Sequence, residues 1–228
     1  MAVTTYQKAQ RSSYLKRIYN VKLISLKWWG VIIFLAPAIT AASVGLNTAF
    51  GGEIPGMDKL NAIISNPILF LPLVLLSFMS GPFSEELGWR GFALDPLLER
   101  FGFVKASVIL GFIWGIWHLP LYFMPETWHG KMGFQLAGFW SFIAANIGLS
   151  IIMSLVYIGT KQSIFSAMLM HLSFNFSTQL IAGTTGPGYS PSIELIRSLL
   201  IVAAGISICF YMARVRKSSR SDVSGIAV

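Results

Sequence analysis

The chain has 228 residues, 54% of them hydrophobic and 11% charged, with a mean hydropathy of +0.66. Soluble domains carry roughly 25% charged residues, so these values exclude a soluble globular domain and indicate an integral membrane protein with no room for a large soluble unit. The net charge of +8 is no nucleic-acid signature, because the basic residues gather at the termini and in alternate loops; Cys209, the single cysteine, excludes an internal disulfide and any Cys-rich metal site.

Residues 1–26 mix basic and apolar side chains (Lys8, Arg11, Lys16, Arg17 and Lys22 among Tyr14, Leu15, Ile18 and Leu23) and read either as an interfacial amphipathic helix or as a basic tail. The stretch is too long and too lysine-spaced for a signal peptide. No C-a-a-X box closes the sequence, so the chain is not expected to be prenylated itself. Residues 27–213 form the membrane domain. Its first apolar run goes from the Trp28-Trp29 interface anchor to about Phe50. The others are Pro67 to Met79, Lys105 to Phe123, Phe134 to Ile158, Ser163 to Ala182 and Ile193 to Tyr211. The expected fold is therefore all-α: a polytopic transmembrane bundle of about six main spans, with room for short interfacial or re-entrant helices. The glycine-rich loop Gly183 to Gly188 is the most flexible connection, and residues 214–228 make a basic tail, disordered from Arg216.

With both termini in the cytoplasm, fourteen of the seventeen Lys and Arg face inside and only Lys59, Lys131 and Arg197 face out. That asymmetry predicts a six-span, both-ends-cytoplasmic topology.

Polar groups are costly in such a chain, and their positions point to function. Glu85-Glu86-Leu87-Gly88-Trp89-Arg90 follows the second run, His118 lies in the third, and His171 and Asn175 lie in the fifth. On a helix Glu86 and Arg90 are four apart and can pair, while Glu85 sits about 100° away, free for chemistry. His171 and Asn175 share a helix face by the same spacing. Glutamate and histidine exchange protons near neutrality when suitably placed, so the set suits activation of a water. A plainer reading assigns Glu86 and Arg90 to mutual neutralisation, His118 to a hydrogen-bonded helix end, and His171 with Asn175 to interhelical hydrogen bonding. His129, in the loop from Glu126 to Lys131, reads as a solvated residue.

Three motifs in order, E-E-x-x-x-R at Glu85 to Arg90, aromatic-x-x-x-H at Trp114 to His118 and H-x-x-x-N at His171 to Asn175, resemble those of the CPBP intramembrane proteases. That family includes the type II CAAX prenyl endopeptidases and bacteriocin-processing or immunity proteins. The resemblance covers about residues 67 to 182; one departure is Trp114, where the family usually has phenylalanine. It implies an endopeptidase acting on a membrane-associated, C-a-a-X-type protein or peptide at the bilayer. Glu85 would be general base on water with His118 assisting. His171 and Asn175 would bind the oxyanion, and Glu86 and Arg90 would hold the motif. The family has also been described as metal-dependent; Glu85, His118 and His171 would then be ligands of a divalent metal such as zinc, although the H-E-x-x-H spacing is absent. Otherwise no cofactor is expected. The partners are a substrate, lipid and no nucleic acid.

Depth poses one difficulty. His118 lies about 20 Å and His171 about 12 Å along their helices from the cytoplasmic end, at about 1.5 Å per residue, whereas Glu85 at the end of a straight second span would sit near that surface. Gly81-Pro82 resolves this if a new helix starts at Pro82 inside the membrane, with the glutamates near the positive end of its dipole. Two other classes compete. A non-catalytic immunity or scaffold protein would use the same cavity, and a proton or cation transporter would use Glu and His as a relay, although no repeat mirrors one half of the chain on the other.

Overall fold

The computed structural model describes residues 8–182 and 190–224, with side chains described for 11–180 and 190–215. The described residues are helical and contain no strand. Ten helices follow one another: α1 Lys8–Tyr19, α2 Leu26–Ala49, α3 Asp58–Ser65, α4 Phe70–Met79, α5 Pro82–Gly88, α6 Leu94–Trp117, α7 Trp128–Met132, α8 Ser141–Gly159, α9 Ile164–Ser177 and α10 Pro191–Ser224. The glycine-rich loop Gly183 to Gly188 lies outside the described residues. The backbone past Arg216, read above as disordered, continues as helix to Ser224.

Among the described residues, four helical stretches are long and apolar enough to cross a membrane: Leu26–Ala49, Pro67–Phe123, Leu136–Gly159 and Pro191–Val215. The expected count of six is therefore not confirmed. The difference has an identifiable source. Pro67–Phe123 holds two of the six apolar runs and is not one straight rod. It breaks at Gly81, which precedes α5, and again inside α6 at Gly102, whose φ of 71° is a conformation that favours glycine. The fifth run is the short α9, continued by a π-helical turn over Thr178–Ala182.

Helix α8 packs between α6 and α10, and its residues are buried on several sides. Small and hydroxyl side chains permit that approach: a Cβ on Gly111 of α6 would lie 2.6 Å from the Ile147 Cα atom. Ser154 and Thr160 return their hydroxyls to the carbonyls of Ser150 and Val156, four residues back, so neither needs water. Large apolar residues such as Phe34, Leu71 and Phe210 point outward, as a lipid-facing surface requires.

The N-terminal stretch holds a helix docked on the bundle. Tyr14 is buried and its hydroxyl donates to the Leu87 carbonyl at 3.3 Å, just before the π-helical turn Trp89–Ala93 that links α5 to α6. Arg17 pairs with Asp95 at 3.0 Å and donates to the Gln162 carbonyl at 2.9 Å. These contacts fasten α1 to the basic end of the bundle, where α6 begins and where α8 turns into α9.

Candidate active site

The helix break expected at Gly81-Pro82 is present: α4 ends at Met79 and α5 starts on Pro82. From Pro82 the chain stays helical through the π turn to Asp95 at the basic end, so Glu85 lies about 15 Å from that end at about 1.5 Å per residue. Glu85 therefore sits within the bundle.

Glu86 and Arg90 are both fully buried. Arg90 Nη1 donates to both carboxylate oxygens of Glu86 at 2.9 Å. Glu86 Oε1 also accepts from His171 Nδ1 at 3.0 Å. Because the carboxylate paired with Arg90 can only accept, Nδ1 carries the hydrogen, and Nε2 of His171 is left for the cavity. The Arg90 guanidinium also lies over the Trp114 ring, 5.0 Å from its centroid. The ion pair expected from the i,i+4 spacing thus also orients a histidine 85 residues away.

Glu85, turned away from that pair, points its carboxylate into a cavity of about 460 Å³ that His118, His171 and Asn175 also line. Trp114 Nε1 donates to Glu85 Oε2 at 2.8 Å. His118 Nδ1 is 2.9 Å from the Trp114 carbonyl, which can only accept, so this nitrogen too is protonated and Nε2 is left as an acceptor. Four of the six predicted site residues thus meet in one cavity, and Glu86 and Arg90 stand behind it. Gly81 lies against the same point: a Cβ there would be 2.8 Å from Glu85 Oε1 and 4.0 Å from His171 Cε1. Gly81→Ala should therefore leave the thermal unfolding of the detergent-solubilised protein almost unchanged, because a flexible carboxylate can yield. It should reduce any Glu85-dependent turnover by roughly tenfold to a hundredfold, since about 1 Å of misplacement has that effect.

Sequence reasoning missed His129. It is no solvated loop residue but lines the cavity, with its ring stacked on His118 at 5.4 Å and packed against Tyr122, Trp128 and Phe142. The aromatic residues around it in the sequence were the available signal. Burial, and then the neighbouring His118, push its pKa down to about 4 from 6.5. Between those values the unfolded chain binds more protons than the folded one, so stability falls as pH drops from about 6.5 towards 4. Thermal unfolding in detergent should show a larger loss between pH 7 and pH 5 for the wild type than for His129→Phe, which keeps a ring but cannot titrate.

The zinc set suggested by resemblance was Glu85, His118 and His171. Both histidines bond a protein acceptor through Nδ1 and leave Nε2 open, as metal-ligating histidines also do, and Glu85 keeps one oxygen outside its bond to the indole. Among the described residues no three His, Cys, Asp or Glu side chains are grouped so as to hold a metal ion. That grouping is what a tetrahedral zinc site needs, and no step below runs through a metal.

The cavity lies in the half of the bundle away from the basic end, against the last turns of α6 and α9 and the first turns of α10.

Residues 67–177, which contain all three motifs, match the family described as type II CAAX prenyl endopeptidase Rce1-like. A curated relative from Methanococcus maripaludis, named CAAX prenyl protease 2, is 31% identical over 175 residues, which is 76% of this chain. The chain spans only 64% of that relative's length. By its apolar helices the chain is an integral membrane protein, and its matched core is similar to the Rce1-like type II CAAX prenyl endopeptidases.

Proposed function

We propose that the chain is an intramembrane endopeptidase that hydrolyses a peptide bond with a water activated by glutamate and histidine. The observation that carries this reading is the convergence of Glu85, His118, His171 and Asn175, from three separate helical segments, on one cavity. Their free atoms fit the roles. Glu85 Oε1 and His118 Nε2 face the cavity without a competing protein partner fixed on them, and can take and return a proton.

In this mechanism the water oxygen bonds to the scissile carbonyl carbon while its proton passes to Glu85, with His118 Nε2 orienting it. The carbonyl π electrons move onto oxygen, and that oxyanion is bound by Asn175, with the His171 ring that Glu86 orients beside it. The proton then passes to the leaving nitrogen as the C–N bond breaks, giving a carboxylic acid and an amine. Donors fixed in advance in a water-poor cavity stabilise the oxyanion best.

The substrate proposed is a peptide or protein held at the membrane, with prenylated C-a-a-X tails the first class to try, given the family. The charge asymmetry favours cytoplasmic termini, and unprenylated peptides are an equally necessary arm of the test. The purified protein in detergent should cleave members of a peptide library, with and without a prenyl group and with and without a strong chelator, and Glu85→Gln should not. Cleavage abolished by the chelator would overturn the metal-free mechanism. No cleavage of any peptide by folded wild type would favour a non-catalytic immunity or scaffold role.

A further inference from the structure

We propose that Trp114 is a positioning residue: its indole N–H anchors the Glu85 carboxylate in the orientation that activates water. The proposal rests on the endopeptidase reading above and adds a component to it. Glu85 is only partly buried and, among the described residues, forms no ion pair, so its carboxylate is fixed by something else. The 2.8 Å bond from Trp114 Nε1 holds Oε2, and the backbone at Gly81 bounds Oε1, because the space a Cβ would fill is already within 2.8 Å of it. One oxygen is thereby anchored and the other aimed at the cavity.

Trp114 is itself held rigidly. It is 2% exposed. The Arg90 guanidinium covers one part of its ring at 5.0 Å, and the His171 ring meets it edge-on at 5.0 Å. Its carbonyl accepts from His118 Nδ1 at 2.9 Å. A single residue therefore touches both groups assigned to water activation and the ring placed beside the oxyanion. A phenylalanine here would keep the ring contacts but has no N–H, so Glu85 would lose the donor that fixes it. The effect belongs in the chemical step and not in substrate affinity, because the indole N–H faces Glu85.

The test replaces Trp114 in the full chain with 3-benzothienylalanine, which keeps the bicyclic shape and exchanges N–H for sulfur, with Trp114→Phe alongside. Both should lower kcat by about tenfold or more, with KM within about twofold of wild type. A 5-fluorotryptophan at 114, which retains the N–H, should keep wild-type kcat. Wild-type kcat in the benzothienyl protein would overturn the proposal while leaving the endopeptidase reading intact. A readout independent of turnover separates the two: the ¹⁵N-bound proton of the Trp114 indole should move upfield in Glu85→Ala, as a lost hydrogen bond requires. An unmoved resonance would overturn the anchor even if no peptide were ever cleaved.

Discussion

Arg90→Leu should destabilise the protein by about 3–5 kcal/mol, the usual cost of removing one partner of a buried ion pair. Both Arg90 and Glu86 are 0% exposed, so deleting the cation leaves a carboxylate with no water and only His171 to answer it. The measurement is unfolding in mixed micelles, followed by far-UV circular dichroism. The partner experiment separates the charge from the fold. Replacing both residues with apolar ones of similar volume, as in Glu86→Leu with Arg90→Met, should recover most of that stability, because neither charge is then left unpaired. It should not recover turnover. His171 would lose the carboxylate that sets its tautomer and ring plane, and an unanchored imidazole no longer keeps its ring beside the oxyanion. Recovery of full activity in the stable double mutant would mean that the pair is a packing device alone.

The same pair shows what could be read from the sequence and why. Glu86 with Arg90 and His171 with Asn175 are local relations: a spacing of four is a geometric statement once a helix is assumed. The start of a helix at Pro82 was equally legible, since proline suits the first turn and glycine before it releases the preceding helix. Contacts between distant segments were not legible. The bond between Trp114 and Glu85 joins residues 29 apart across the π turn and the break at Gly102. His129 reaches the cavity only because the loop after α6 folds back through the short helix α7. The docking of α1 through Arg17 and Asp95 joins two charges that each look like surface residues in a one-dimensional reading. Span counting from apolar runs gave six, a count the helices do not confirm: among the described residues four stretches are long and apolar enough to cross, with two of the runs joined in the broken stretch Pro67–Phe123 and a third forming the short α9.

Glu85→Gln and His118→Ala should each lower kcat/KM by about 10²–10⁴-fold, the range expected for removing a general base or its assistant, and the double mutant should lose little beyond the worse single. The reasoning is that both groups act on one water. His118 Nδ1 is fixed by the Trp114 carbonyl and Glu85 by the Trp114 indole, so the two face a single attack position from a common support. Residues that act as a unit are strongly non-additive when removed in turn. Losses that multiplied in the double mutant would instead indicate independent tasks, such as Glu85 on water and His118 on the leaving nitrogen. Glutamine keeps the length and one hydrogen-bonding oxygen of Glu85, so folding should be unaffected and the loss assigned to proton transfer. An active Glu85→Gln protein would remove Glu85 from the chemistry, and the cavity would then have to be read as a binding site.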